Sequence, residues 1–191
     1  EKITPELLPI PLADIPSRAV DERTLLDQVE VLLARSTIFD EIEKDLLSED
    51  QVITKGLISL RPSLTAASSL ELISEIEKQW LAFNKKMEEK ETALHERIGV
   101  IGQQISKLEA SLDVWKKTAK EAQDVKAHEE LIKLTHVTIE DIEKIYKALQ
   151  QMQNRVLGLQ GKVGRSSRGI QEALERIKSE KVNLLKNLGH R

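Results

Sequence analysis

Two ladders of apolar residues constrain this chain more than any other feature. Every seventh residue from Ile73 is apolar: Trp80, Met87, Leu94, Ile101, Leu108 and Trp115. The same holds from Ile142, through Leu149, Val156, Val163, Ile170, Ile177 and Leu184. A seven-residue spacing places side chains on one stripe of an α-helix, and a stripe held over six steps is a coiled-coil seam. A strand has a period of two and cannot present these residues on one face. The region from Ser68 to Gly189 is therefore read as two long helices with narrow buried seams.

Composition agrees with that reading. The chain is 40% hydrophobic and 32% charged but only 3% aromatic, which suits long helices better than a thick globular core. With 29 Lys+Arg against 32 Asp+Glu, the net charge of −3 supplies no global attraction to nucleic acid or anionic lipid. There is no cysteine, so thiol catalysis, disulfides and cysteine-based zinc sites are excluded. No run of about 18 apolar residues exists, so no membrane span is expected within this chain. A start at Glu1 without Met and an end at Gly189-His190-Arg191 read as an excised or processed piece of a longer protein.

Residues 1–13 carry Pro5, Pro9 and Pro11 and are expected to form an extended or irregular lead-in. Asp14-Ile15-Pro16 then offers a helix start, with proline in the first turn where it costs little. Residues 14–62 are read as two shorter helices. The first runs to Ala34 with Leu25, Leu26, Val29, Leu32 and Leu33 along it. The second runs from about Phe39 to Leu60, with Ser48 as the point of a break, and Pro62 is expected to end it. Ser68 and Glu71 form a capping box for the third helix.

The second position of the third helix's seam moves from Ile76 and Phe83 to Ile98, Ile105 and Leu112. That four-residue insertion near Lys90 is a stutter, which locally unwinds a supercoil. The pattern fades over Glu121–Glu130, and the turn is placed at 124–127. The two long helices, about 55 to 60 residues or ~85 Å each, thus form an antiparallel hairpin over residues 63–191. Folding about Val125 sets Trp80 near Gly169 and Ile170, and Trp115 near Thr135. Extra apolar residues at Leu70, Leu72, Leu81, Val182 and Leu185 suggest that both shorter helices pack on the hairpin base and leave the tip bare. The expected fold is all-α: a long coiled-coil hairpin with two N-terminal helices at its base.

No chemistry emerges from the motifs. Lys162 follows Gly158 and Gly161 but is itself followed by Val163, so a phosphate-binding GxxxxGK[ST] loop is absent. These glycines, with Gly164 and Gly169, read as small residues allowing close packing or local softness. Gly158, Gly161, Gly164 and Lys90 mark the place where the arm bends or meets a partner. His128 and His136 are eight residues apart, twice the spacing that puts two ligands on adjacent turns. Glu88-Glu89-Lys90-Glu91 and Lys116-Lys117 read as a solvated face, and Trp80, Phe83 and Trp115 as core. No catalytic group, metal site or cofactor is expected, and nucleic-acid binding is not.

Leu72-Ile73-x-x-Ile76-x-x-x-Trp80, Trp115-x-x-Thr118, Leu159-Gln160-x-x-Val163 and the opening Ile15-Pro16-Ser17-Arg18-Ala19 form a pattern. It resembles the N-terminal extracytoplasmic helical region of large bacterial mechanosensitive channels of the small-conductance, MscS-like class. The resemblance implies a periplasmic domain of an inner-membrane protein, exported by a signal peptide and followed by transmembrane helices and a cytoplasmic β-rich vestibule. It implies a heptamer opening under membrane tension, with sister subunits or envelope proteins as partners and no pore residue in this chain. The competing expectation is a free-standing coiled-coil adaptor or tether that binds partner helices.

Overall fold

A computed structural model describes residues 8–35, 37–67, 69–122 and 129–189. The fold is all-α: among the described residues there is no strand. A short 3-10 turn, Leu12–Asp14, leads into four helices: α1 (Ile15–Ala34), α2 (Thr37–Ala66), α3 (Leu70–Ala122) and α4 (Glu129–Gly189). The expected turn at 124–127 and Ser68 of the expected capping box lie outside the described residues. Ser69 has the capping role: its Oγ accepts a hydrogen bond from Leu72 N at 3.3 Å, which satisfies one of the donors a helix start leaves free.

The chain divides into two compact units. One comprises Glu1–Thr37 with Ile98–Arg155, the other Ile38–Arg97 with Val156–Arg191. Each therefore joins one shorter helix to a segment of α3 and a segment of α4. In both, the long helices run antiparallel. Lys116 pairs with Glu143 at 3.0 Å and the Tyr146 hydroxyl donates to Glu109 at 2.7 Å in the first unit. In the second, Gln171 Nε2 donates to Asn84 Oδ1 at 2.9 Å. These pairs place the register about a turn beyond that expected from folding about Val125.

In the first unit α1 and residues 8–14 cover the α3–α4 segments nearest the connection. Leu8, Ile10, Leu12, Ile15, Leu26 and Val29 are buried. The backbone N–H of Ile10 donates to Thr118 Oγ1 at 3.1 Å, and Trp115 Nε1 donates to Glu22 Oε1 at 3.3 Å. The expectation of a bare tip, with both short helices at the base, is thereby corrected for α1. Its apolar face needs cover wherever a long helix offers it, and the wide seam of α3 around Trp115 does so.

In the second unit α2 packs on the other segments, antiparallel to α3 and parallel to α4. Phe39, Leu46, Ile53, Leu60 and Leu64 form its buried face. α2 begins two residues earlier than expected, passes Ser48 unbroken, and runs beyond Pro62 to Ala66. Pro62 deprives the Ile58 carbonyl of its donor, but Ile58 is 75% exposed and water is at hand. The extra turn buries Leu64, which repays continuation by on the order of 2 kcal/mol. Leu72, Leu81, Val182 and Leu185, expected to be covered at the base, are exposed.

Candidate functional site

The seam residues sit where a seam needs them. Thirteen of the 14, Ile73 to Trp115 and Ile142 to Ile177, are buried, and Leu184 is half-buried near the end of α4. The bulky-against-small contact expected at Trp80 exists with a different partner. A Cβ on Gly56 of α2 would lie 3.1 Å from Trp80 Cζ2, whereas Gly169 faces Leu57 Cδ1 at 3.3 Å. Trp80 also meets Phe83 edge-on, with ring centroids 5.5 Å apart, a geometry that aromatic quadrupoles favour.

Polar groups tie each unit internally. Lys90 follows Phe83 by seven residues and continues the seam as a charge. It is half-buried and paired with Glu49 of α2. Ser166 interrupts the α4 seam and is 5% exposed. Its hydroxyl donates to Asp50 Oδ1 of α2 at 3.2 Å, and Lys162 reaches Glu43 at 3.5 Å. The two polar residues at the second seam positions, Lys90 and Ser166, are thus places where α2 is held by charge and hydrogen bonding. Neither α2 partner was legible beforehand; the break in apolar pattern was the available signal.

In the first unit, buried Thr118, Thr135 and Thr138 each donate to the carbonyl four residues back at 2.8 Å. Thr118 alone of these also accepts the Ile10 N–H. Glu22 Oε2 is buried and has no hydrogen-bond partner among the described residues; it lies beside a cavity of about 220 Å³ lined by Arg18, Ser111 and Trp115 among others. Arg23 faces Asp27 at 3.0 Å and Asp141 at 3.7 Å, and its pKa is raised mainly by Asp27. The hydrogen bond to Glu109 raises the Tyr146 hydroxyl above its ordinary value, because ionisation would set two negative charges together.

An open groove of about 670 Å³ lies in the second unit. Arg61, Leu64 and Thr65 of α2 face Glu172, Glu175 and Arg176 of α4 across it. A smaller cavity of about 310 Å³ lies beside Asp50, Lys162 and Ser166. The smaller one holds the Ser166 hydroxyl and the Asp50 carboxylate that accepts its hydrogen bond. Among the described residues no group of His, Cys, Asp or Glu side chains could hold a metal ion. His95 and His136 are exposed; His128 and His190 lie outside the described residues.

No protein-family model, curated protein or solved structure matches the chain. Among the described residues no helix is long and apolar enough to cross a membrane.

Of the residues marked for a bend or partner, Lys90 is engaged by Glu49. Among the described residues, nothing lies within 4 Å of the position a Cβ would take on Gly158, Gly161 or Gly164. Close packing within the chain therefore does not account for these three, although it does account for Gly56 and Gly169.

Proposed function

We propose that this chain is a non-catalytic extracytoplasmic sensing or tethering domain of an MscS-like mechanosensitive channel. The observation that carries the proposal is the role of the residues on which the resemblance rests. Ile73 and Trp80 are buried on α3, Trp80 beside Gly56 of α2, and Leu159 and Val163 are buried on α4. Trp115 and Thr118 receive the N-terminal segment through Glu22 and Ile10. Several residues of the pattern thus help assemble these helices, while Leu72 is exposed. Such a domain acts by contact, and it biases channel opening only to the extent that its contacts differ between closed and open states.

The test is deletion of residues 1–191 from the full-length protein, with patch-clamp measurement of the tension threshold and survival of osmotic downshock. A shifted threshold supports the reading. An unchanged threshold together with unchanged survival removes the regulatory claim. The alternative, a free-standing adaptor or tether, rests on the two open grooves beside α2. It is separated from the channel reading by the coding sequence after Arg191: several transmembrane segments favour the channel, a stop codon the adaptor.

A further inference from the structure

Each of the two units ends on a pair of glycines. In the first, Ile10 reaches Thr118, Glu22 reaches Trp115, and Arg18 and Glu22 share a cavity with Ala110 and Ser111. α1 therefore runs along α3 against its direction. Counted forward from Glu22, the end of α1 at Ala34 falls level with about Gly102 of α3, one turn from Gly99. In the second unit Glu43 pairs with Lys162 and Asp50 with Ser166, so α2 runs with α4. Counted back from Glu43, Phe39 near the start of α2 falls level with about Gly158 of α4, one turn from Gly161. α1 ends at Ala34 and α2 begins at Thr37, so neither short helix continues past this stretch. α3 and α4 do: they pass from one unit to the other after Arg97 and after Arg155, within about two turns of the glycine pairs.

Packing does not call for these four glycines. Among the described residues nothing lies within 4 Å of the Cβ that each of Gly99, Gly102, Gly158 and Gly161 lacks, and none has a positive φ. Relative to alanine, glycine nevertheless weakens the local helical state about fivefold per position. Gly56 and Gly169, inside the second unit, differ in having Trp80 and Leu57 against them. The apolar seam runs on through the stretch, with Ile101 and Ile105 buried on α3 and Val156 and Leu159 on α4. Backbone stiffness is thus lowered where the apolar faces are kept, and small residues at such places absorb the backbone rotations of a hinge. We propose that α3 and α4 bend at these glycine pairs, where α1 gives way to α2, and that the two units move as separate bodies about them. The hinge is independent of the channel reading.

The chain has no cysteine, so spin labels can be placed by substitution and distance distributions measured by pulsed electron–electron double resonance. Gln28→Cys in α1 with Thr54→Cys in α2 spans the hinge. Gln28→Cys with Lys133→Cys is the control inside the first unit, and Thr54→Cys with Lys178→Cys inside the second; all four positions are exposed. The distribution across the hinge should be broader than both controls. Gly99→Ala, Gly102→Ala, Gly158→Ala and Gly161→Ala together should narrow it to the width of the controls. The same four changes should slow hydrogen exchange of the surrounding α3 and α4 amides about fivefold or more. Their Cβ positions are open, and circular dichroism verifies that the variant folds. A distribution across the hinge no broader than the controls overturns the proposal. So does one that stays broad in the alanine variant, or exchange that the alanines fail to slow, because the bending then lies elsewhere.

Discussion

Thr118 tests the structure most sharply, because one hydroxyl performs two tasks. It donates to the Val114 carbonyl and accepts the backbone N–H of Ile10. Thr118 is fully buried and Ile10 is 1% exposed. Thr118→Val keeps the shape of the side chain and removes the acceptor. Val114 O retains its helical donor, so its loss is minor. The Ile10 N–H has no such reserve, and a buried unsatisfied donor costs about 1–3 kcal/mol. At about 2 kcal/mol, the melting temperature of a chain this size should fall by about 4–8 °C. Thr135→Val is the matched control. Its hydroxyl serves only the Leu131 carbonyl of its own helix, so the same substitution should cost well under 1 kcal/mol. Urea denaturation gives the two free energies, and hydrogen exchange reports the Ile10 amide directly. Equal costs for the two variants, or undiminished protection at Ile10 in Thr118→Val, would refute this account of how the lead-in is held.

Other outcomes follow from the same packing. Trp80→Ala should destabilise the chain by about 3–5 kcal/mol through the cavity it leaves, whereas Leu81→Ala, at a position 48% exposed, should stay within about 0.5 kcal/mol; equilibrium unfolding compares them. Gly99→Ala meets nothing within 4 Å and should stabilise α3 by about 0.5–1 kcal/mol. Gly56→Ala should lose that gain, because its Cβ would sit 3.1 Å from the buried Trp80 ring; thermal melts of the two variants decide. Tyr146 is the single tyrosine, so its ultraviolet titration is unambiguous, and the midpoint should lie above the ordinary value of 10.0. A folded-state pKa raised in this way adds stability below the unfolded pKa that is lost as pH rises through the folded one. Glu109→Gln should return the midpoint toward the ordinary value, and Tyr146→Phe should remove this alkaline contribution.

Much of the fold is legible in the residue order. The ladders from Ile73 and Ile142 identify two long helices and the stripe each buries, because helical geometry is local and its period maps sequence directly onto faces. Pro16 inside a first turn likewise announces α1. Lys90 and Ser166 were visible as breaks in the pattern. Their meaning was not, since Glu49 and Asp50 lie far away in sequence among many acidic residues of the same appearance. The candidate surfaces were less legible still: the Gly158–Gly161 run was evident, but its lack of any packing neighbour required the coordinates.

Sequence alone determined the class of structure, the helical faces and the absence of a recognisable catalytic motif. Tertiary structure decided which face meets which. It set α1 beside Trp115 and α2 beside Trp80, carried α2 through Pro62, and placed Gly56 rather than Gly169 against the Trp80 ring. The reason is physical. A periodic apolar stripe states that a helix must bury one side, but any complementary stripe will serve. The choice is made by side-chain volumes and by single polar partners such as Thr118 for Ile10 and Asp50 for Ser166, which come together only after the chain has folded.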